Sequence, residues 1–337
     1  MGDLPEDRFS LGSSPFTWMS LDLMGPTLVK GVVNSRATMK AWPLIIVCRS
    51  TGAVHTQLMH NYGTEAFLLQ WSNFVALRGA PRKVVSDRGS QLTSAENYVS
   101  WKPAEDPTQW GWSEIEERSV REGTEWEFVP AGCQWRNGLA ESKVKAIKST
   151  LSHMMASTLI GGKPTITYAA LMVVLARAAS VVNDRPLGIR SLTEKDLIPI
   201  TPNQLLLGRT STAPRVATEE EVSDYGRSSR YQEELLNVWW NLWKTQVFPH
   251  LLPYPNYKAA KRHVNLVEGD VCLLKYEGKV RGTFQLCRIE KVFPDEHKVV
   301  RTVRVKLSSK ERKNCASLIV GIQRLVLIQA VEHLPEK

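Results

Sequence analysis

Three acidic residues in three different local settings constrain the fold of this chain more than any other feature. Asp22 lies inside an alternating, strand-like run, Asp87 ends a second apolar run, and Glu141 lies near the start of a helix-like stretch. Two carboxylates on strands and one on a helix can converge at one edge of a sheet. Three carboxylates packed together repel one another unless cations lie between them. The pattern therefore predicts a site for one or two divalent metal ions that act on phosphate.

The first two thirds of the sequence predict a mixed α/β domain. Residues 16–23 alternate in polarity, 42–48 form a continuous apolar run typical of a buried central strand, and 53–59 are predicted to return as its hairpin partner. Further predicted elements are a helix over 65–77 with Thr64 as its N-cap and Gly79 after its end, strands over 83–86 and 125–130, and helices from about Leu139 and over 167–183.

Charge and periodicity change in the C-terminal third. An aromatic stripe over 231–248 predicts a helix packed against a neighbouring domain or a second subunit. Between positions 255 and 315 there are 15 Lys/Arg against 7 Asp/Glu, so most of the net charge of +9 falls there. Such a basic module indicates a nucleic-acid partner, with a solvated surface as the alternative. Short strands predict a small antiparallel barrel at 270–276, 283–293, 299–306 and 325–328.

Cysteine usage and hydropathy restrict the remaining classes. The five cysteines form no Cys-x-x-Cys pair, which predicts a reducing compartment and free thiols, buried at Cys48, Cys272 and Cys287. No apolar run reaches the roughly 18–20 residues that span a bilayer, and the first residues do not form a signal peptide. We therefore expect no membrane partner.

The helix that carries Glu141 admits two interpretations. At about 100° per residue, Lys145 and Lys148 lie within about 40° of Glu141 on one exposed stripe, while Leu151 belongs to the arc that faces the core. The stripe can be ordinary surface pairing of Glu with Lys. It can equally be a metal ligand flanked by two phosphate anchors. The helix alone leaves both interpretations open.

Several short motifs follow one another in a fixed order. They are the Asp22 run ending in Gly25-Pro26, Ser86-Asp87-Arg-Gly, Asn137-Gly-Leu-Ala-Glu141, Asn183-Asp-Arg-Pro-Leu187, the run 197–209 and Glu268-Gly-Asp-Val-Cys-Leu-Leu274. Taken together they resemble the retroviral and retrotransposon integrase core. More narrowly, they resemble integrases of BEL/Pao-type long-terminal-repeat retrotransposons.

The resemblance implies an architecture. The α/β fold would be a ribonuclease H-like catalytic core, with a mixed sheet flanked by helices, followed by a helical connector and a small C-terminal all-β Src-homology-like barrel. The implied domains are a lead-in over 1–15, the core with its helical extension over 16–208, a linker and Trp-rich connector helix over 209–262, and the basic DNA-binding barrel over 263–337.

The resemblance also implies a polynucleotidyl transferase that processes the DNA 3′ ends of an element and joins them to target DNA. Asp22, Asp87 and Glu141 would be catalytic and would coordinate two Mg²⁺ or Mn²⁺ ions. Expected partners are element and target DNA and further copies of the chain, without a small-molecule substrate, in the nucleus with a transient cytoplasmic particle. The DNA-binding candidates are Arg136, Lys145, Lys148, Lys275, Arg281, Arg288 and Lys291.

The sequence departs from this family pattern in several places. No Cys-x-x-Cys follows His55 and His60, so we expect no zinc and interpret both histidines as structural. Within the loop over 131–138, which matches a flexible catalytic loop, Gln-Trp-Arg replaces the usual Pro, His and Gly. Two rival functions stay open: a domesticated or degraded integrase that binds DNA or a partner without catalysis, and a nuclease of the ribonuclease H type. The nuclease would need a Glu deep in the first helix, whereas Glu65 is expected in its first turn.

Overall fold

The structure is a computed structural model of the 337-residue chain. It divides into two compact units: Met1–Val182 with Glu219–Trp239, and Asn183–Thr218 with Trp240–Lys337. The domain boundaries expected from the sequence stay predictions. The structure describes residues 14–31, 37–87, 124–129, 148–156, 158–160, 163–189, 198–209, 227–246, 265–275, 284–307 and 317–331.

A six-stranded mixed sheet forms the centre of the first unit. Across the sheet the order is β4-β3-β1-β5-β6, and β2 pairs with the first residues of β3. Strand β3 runs antiparallel to both β1 and β4, β5 runs parallel to β1, and β6 runs parallel to β5. The strands are β1 (Trp18–Leu23), β2 (Thr27–Lys30), β3 (Thr38–Cys48), β4 (Val54–Met59), β5 (Lys83–Asp87) and β6 (Glu125–Val129).

The apolar run 42–48 belongs to β3, an interior strand of this sheet, as predicted. Every residue from Ala41 to Cys48 is buried, because β3 has β1 on one side and β4 on the other. A strand whose neighbours occupy both edges and whose two faces are covered carries apolar residues without alternation. The predicted hairpin of β3 with β4 and the strands that deliver Asp22 and Asp87 are confirmed.

Helix α1 (Thr64–Arg78) packs aromatic side chains against the sheet. The ring centres of Trp71 and Trp126 of β6 lie 5.2 Å apart, and those of Phe67 and Trp126 lie 6.2 Å apart. Gly79 ends the helix at a φ of 86°, as predicted. The predicted N-cap is wrong, because the helix begins one residue earlier and Gly63 takes that position without a side-chain hydrogen bond.

Three further helical stretches belong wholly or partly to this unit. Residues 148–156 are the described part of α2, α3 (Tyr168–Asn183) matches the predicted helix over 167–183, and α5 (Arg227–Gln246) contributes its residues up to Trp239. Helix α5 begins four residues before the predicted start at 231. Two short strands, β7 (Leu159–Ile160) and β8 (Lys163–Pro164), form a hairpin between α2 and α3.

A five-stranded antiparallel sheet forms most of the second unit. Its order is β14-β13-β12-β11-β15, and four of its strands were predicted. The fifth, β14, escaped prediction because it lies at the end of this order and its first three residues are exposed, so that it shows no apolar alternation. The strands are β11 (Val271–Leu274), β12 (Gln285–Pro294), β13 (Val300–Leu307), β14 (Ser317–Gly321) and β15 (Leu325–Gln329).

Two apolar clusters stabilise this sheet. The larger one includes Cys272, Cys287, Val303 and Val305, all fully buried. The smaller one forms around Val271, Leu273, Leu286 and Val326 and is contacted by Ile189. Ile189 belongs to a short antiparallel pair of strands, β9 (Gly188–Ile189) and β10 (Pro199–Ile200). Helix α4 (Pro202–Leu207) follows β10 and begins at a capping box formed by Thr201 and Gln204.

The second part of α5 adds aromatic packing to this unit. The rings of Trp240 and Trp243 stack 5.3 Å apart, and both meet the edge of the Phe284 ring. The aromatic stripe predicted for this helix therefore packs within the fold. No helix among the described residues is both long and apolar enough to cross a membrane.

Candidate active site and nucleic-acid interface

Asp22 lies near the end of β1, in the interior of the mixed sheet. Its backbone is opposite Ile45 of β3 on one side, and β5 runs along the other side of the strand. The side chain is 25% exposed, whereas Met19 and Leu21 of the same strand are buried. Asp22 is therefore a carboxylate on a central strand that keeps contact with solvent.

Asp87 is the last residue of β5, the parallel neighbour of β1. The register pairs Leu21 with Ser86, so Asp22 and Asp87 are the next residues on the two adjacent strands. Parallel neighbours lie about 4.8 Å apart. The backbone of Asp87 is thus next to that of Asp22, which is the juxtaposition that the sequence pattern requires of two metal ligands.

Lys148 of α2 contacts the same carboxylate. Its ammonium group forms an ion pair with Oδ2 of Asp22, and its side chain is only 17% exposed. Leu151, one turn further on, is completely buried, as the helical wheel predicts. The wheel placed Lys148 on an exposed stripe; instead, the ammonium lies against the end of β1. This is the contact that brings two residues of the predicted site together.

The remaining members of the predicted active site lie outside the described residues. These are Glu141, Lys145 and Arg136, together with the loop over 131–138 and the side chain of Asp87. Their roles stay predictions. Within the described part of the chain, no three His, Cys, Asp or Glu residues form a group that could hold a metal ion.

Three residues that bear on the family pattern and on the rival functions lie among the described residues. His55 lies in β4 with its ring 5.4 Å from that of Phe74 and 6.4 Å from that of Phe16. Burial, with the nearby Arg78 charge, lowers the pKa of His55 to about 4. Its packing fits a structural role, while His60 is exposed after the strand. Glu65 lies in the first turn of α1, as predicted.

The three predicted buried thiols are free and buried. Burial raises the pKa of Cys272 and raises that of Cys287 to about 12. Because the thiolate is the reactive form, these two cysteines of the second unit are unreactive at neutral pH. Their role is to fill the core of the antiparallel sheet.

The DNA-binding candidates of the second unit separate into two places. Arg288 and Lys291 lie on β12, where they face Lys306 and Arg304 of β13. Lys275 follows β11 at the far end of the β11–β12 pairing from Arg288. Arg281 lies outside the described residues. The structure therefore groups two of the four predicted cations.

Sequence reasoning missed Arg304 and Lys306 as members of this group. The signal that could have found them is the alternation of β13, in which Val303 and Val305 are fully buried and the cations between and after them are exposed. With period-2 geometry, these two cations share the face opposite the core. Their position opposite the cations of β12 depends on the strand register, which the sequence does not specify locally.

Comparisons with known proteins give limited likenesses. A family model described as a family of unknown function, DUF5641, matches residues 228–327, which is less than half of the chain. No curated protein matches the chain.

Two solved structures show weak likenesses. The catalytic core domain of BIV integrase is 13% identical at a TM-score of 0.34, over 57% of this chain and 95% of its own. A simian T-cell lymphotropic virus intasome in complex with PP2A regulatory subunit B56 gamma is 12% identical at a TM-score of 0.35. The match covers 100% of this chain and 85% of the intasome chain. TM-scores of this size define neither the fold nor the function of the chain.

Proposed function

We propose that this chain is a retrotransposon integrase, of BEL/Pao type, that processes element DNA ends and joins them to target DNA by metal-dependent phosphodiester transfer. The observation that carries the proposal is the meeting of three predicted site positions at one place. Asp22 and Asp87 occupy neighbouring positions on parallel strands, and Lys148 contacts the Asp22 carboxylate. The strand arrangement supports a ribonuclease H-like core.

The residues at this place fit a divalent cation. Carboxylate oxygens are the hard donors that Mg²⁺ and Mn²⁺ take, and the Asp22 carboxylate already attracts a positive group in the form of Lys148. It is also a quarter exposed, so an ion can reach it. Asp87 and Glu141 would complete the ligand set. When bound, two such ions supply Lewis-acid stabilisation of the charge that develops at a phosphodiester.

Lys148 has a second role in this proposal. If α2 extends back to the predicted start near residue 139, Glu141 lies two turns before Lys148 on nearly the same side of the helix. The contact between Lys148 and Asp22 then orients that side toward the carboxylates. An ammonium at this position can bind a phosphate oxygen beside the reacting group. Lys148, together with Lys145, would hold the DNA end in place.

The second unit would supply affinity for the DNA backbone. Its predicted Src-homology-like barrel is represented among the described residues by the antiparallel sheet, and the DNA-binding candidates Arg288 and Lys291 lie on its strand β12. Neutralisation of phosphates gives binding without sequence recognition. Assembly of several copies and action in the nucleus complete the proposal.

The test is a strand-transfer assay with the full-length chain. Labelled duplexes that carry the terminal sequence of the element are incubated with a plasmid target and Mn²⁺ or Mg²⁺. Asp22→Asn, Asp87→Asn and Glu141→Gln should each reduce nicking and joining at least about 100-fold and leave DNA binding intact. Glu296→Gln, at an exposed acid in the β12–β13 turn, is the control and should retain full activity.

Two outcomes decide between the enzyme and the rival interpretations. If the wild-type chain binds DNA but neither nicks nor joins it with either metal, the transferase proposal fails and the domesticated binding protein replaces it. If it nicks DNA without joining ends, and the three carboxylate variants abolish nicking, the chain is a nuclease.

A further inference from the structure

Two cross-strand pairs on β12 and β13 oppose one cation with another. The register places Arg288 directly opposite Lys306, and Lys291 directly opposite Arg304. Directly opposed residues of an antiparallel pair have Cβ atoms about 5 Å apart, and like charges in that position destabilise the sheet. These four residues are called the basic ladder below.

The basic ladder lies on one face of the sheet. The residues that alternate with it, among them Ile289, Val303 and Val305, are at most 1% exposed and belong to the core cluster. The ladder side chains therefore leave the sheet on the side opposite this core. Arg288 is half-buried and the other three cations are exposed.

A β-bulge creates the second of the two like-charge pairs. The register shifts between Ile289 and Lys291, which leaves Glu290 as the extra residue. A regular strand would place Glu290 opposite Arg304 and form a favourable pair of opposite charges. The bulge puts Lys291 there instead. Bulges of this kind re-aim side chains and are found next to functional sites.

The charge of the ladder is only partly offset nearby. The carboxylate of Glu290 accepts a hydrogen bond from the Ser317 hydroxyl at 2.7 Å. Within the described part of the chain, no ion pair joins a carboxylate to any of the four cations. Arg301 of the same strand differs, because its guanidinium lies 3.3 Å from the carboxylate of Asp295.

We propose that the basic ladder is the surface by which the second unit binds the phosphate backbone of nucleic acid, with Arg304 and Lys306 as contacts in addition to Arg288 and Lys291. The inference rests on the proposed function in taking DNA as the partner. It specifies the surface and adds two contact residues, and it leaves Lys275 outside the surface.

The spacing of the ladder suits a polyphosphate. Neighbouring cations lie about 5 Å apart across the strands and about 7 Å apart along them, and duplex DNA carries one charge per about 1.7 Å of its axis. Long side chains on a two-stranded surface can therefore each reach a different phosphate. The Arg304 guanidinium lies 5.8 Å from the centre of the Phe293 ring, within the range of an attractive cation–π contact.

The experiment measures binding of the full-length chain to a random-sequence duplex by fluorescence anisotropy across a salt series. Removing one cation that neutralises a phosphate should lower the slope of log K against log salt by about 0.9, so replacing all four ladder cations with Gln should lower it by about three to four. The single variant Arg304→Gln should lower the slope by about one.

Arg301→Gln is the matched control, because it removes the same group from the same strand at a position already paired with an acid. It should leave the slope unchanged. Circular dichroism should show that the fourfold variant is folded, since removing opposed like charges relieves repulsion.

The inference is wrong if the fourfold variant keeps the wild-type slope, or if Arg301→Gln lowers the slope as much as Arg304→Gln. It is also wrong if the ladder variants lose binding to phosphatidylserine vesicles while DNA binding is unchanged, because the partner is then a membrane surface. None of these results affects the carboxylate test of the proposed function. Conversely, if the wild-type chain joins no DNA ends and the ladder variants still lower the slope, the ladder is supported without the enzyme.

Discussion

The two units arrange their charges in opposite ways. In the first unit, the Asp22 carboxylate and the Lys148 ammonium form a partly buried pair that cancels both charges. In the second unit, the half-buried Arg288 and the exposed Lys291 both lie opposite other cations. A partly buried charge costs free energy unless it is paired, whereas exposed like charges are screened by water and salt and cost little.

Under the proposed function, this difference corresponds to two ways of binding a charged ligand. The carboxylate of the proposed metal site lies beside a cation that a metal ion would displace. The cations of the proposed DNA surface have no carboxylate partner among the described residues. The predictions below test this contrast, from the largest expected effect to the smallest.

Acid should affect the first unit more than the second, because the pKa of His55 is lowered to about 4 by burial. The unfolded chain binds a proton at its ordinary pKa of about 6.5, whereas the folded chain does not. The contribution of His55 to the free energy of unfolding is therefore fully present above pH 6.5. It is lost as the pH falls from 6.5 to 4, by up to about 3 kcal/mol.

Hydrogen exchange at pH 7 and pH 4.5 separates the two units. The wild-type chain should lose protection in the first unit over this range, and His55→Gln should lose less. Equal loss in the variant and the wild type would contradict the assignment of acid sensitivity to His55. Loss of protection confined to the second unit would show that the second unit, and not the first, is the acid-sensitive one.

Removing the Lys148 ammonium, which pairs with Asp22 in the first unit, should strengthen metal binding. Lys148→Met leaves the Asp22 carboxylate without its ammonium partner, so we expect Mn²⁺ to bind about tenfold more tightly, equivalent to about 1.4 kcal/mol. Isothermal titration calorimetry without DNA measures this. Lys163→Met, at an exposed lysine of the same unit, should leave Mn²⁺ binding unchanged. Unchanged or weaker binding in Lys148→Met would show that the pair does not compete with the metal.

Reversing one charge in the second unit should separate stability from binding. Lys291→Glu turns the like-charge pair with Arg304 into an opposite-charge pair, so the free energy of unfolding should rise by a few tenths of a kcal/mol, up to about 1 kcal/mol. The affinity for duplex DNA should fall at the same time. Urea denaturation and anisotropy test both effects. A variant that is less stable and binds DNA normally would show that the bulge serves the fold alone.

Sequence predicted most of the sheet of the first unit because its strands are marked by strong local patterns. The run 42–48 is apolar throughout, as a strand between two neighbours must be. The error at Thr64 has a physical reason: threonine and glycine are about equally common at the N-cap, so the hydroxyl of Thr64 did not exclude Gly63, and the helix starts one residue earlier than predicted. Residue preference does not determine where the backbone first turns.

Contacts between distant segments were less accessible. The helical wheel placed Lys148 on the same side as Glu141, but it could not show that Lys148 contacts Asp22. In β12, a period-2 interpretation would place Glu290 opposite Arg304, and only the bulge places Lys291 there. The missed strand β14 has no pattern of its own. Strand register, bulges and helix orientation depend on contacts between segments that are distant in the sequence, and no local sequence pattern predicts them.

A crystal structure of the full-length chain grown with Mn²⁺ tests the central claim most directly. Anomalous scattering should show ions between Asp22, Asp87 and Glu141, within about 2.2 Å of their carboxylate oxygens, with the Lys148 ammonium moved away from Asp22. Carboxylates that lie apart, or an Asp22 still paired with Lys148 and no ion beside it at saturating Mn²⁺, would contradict the account.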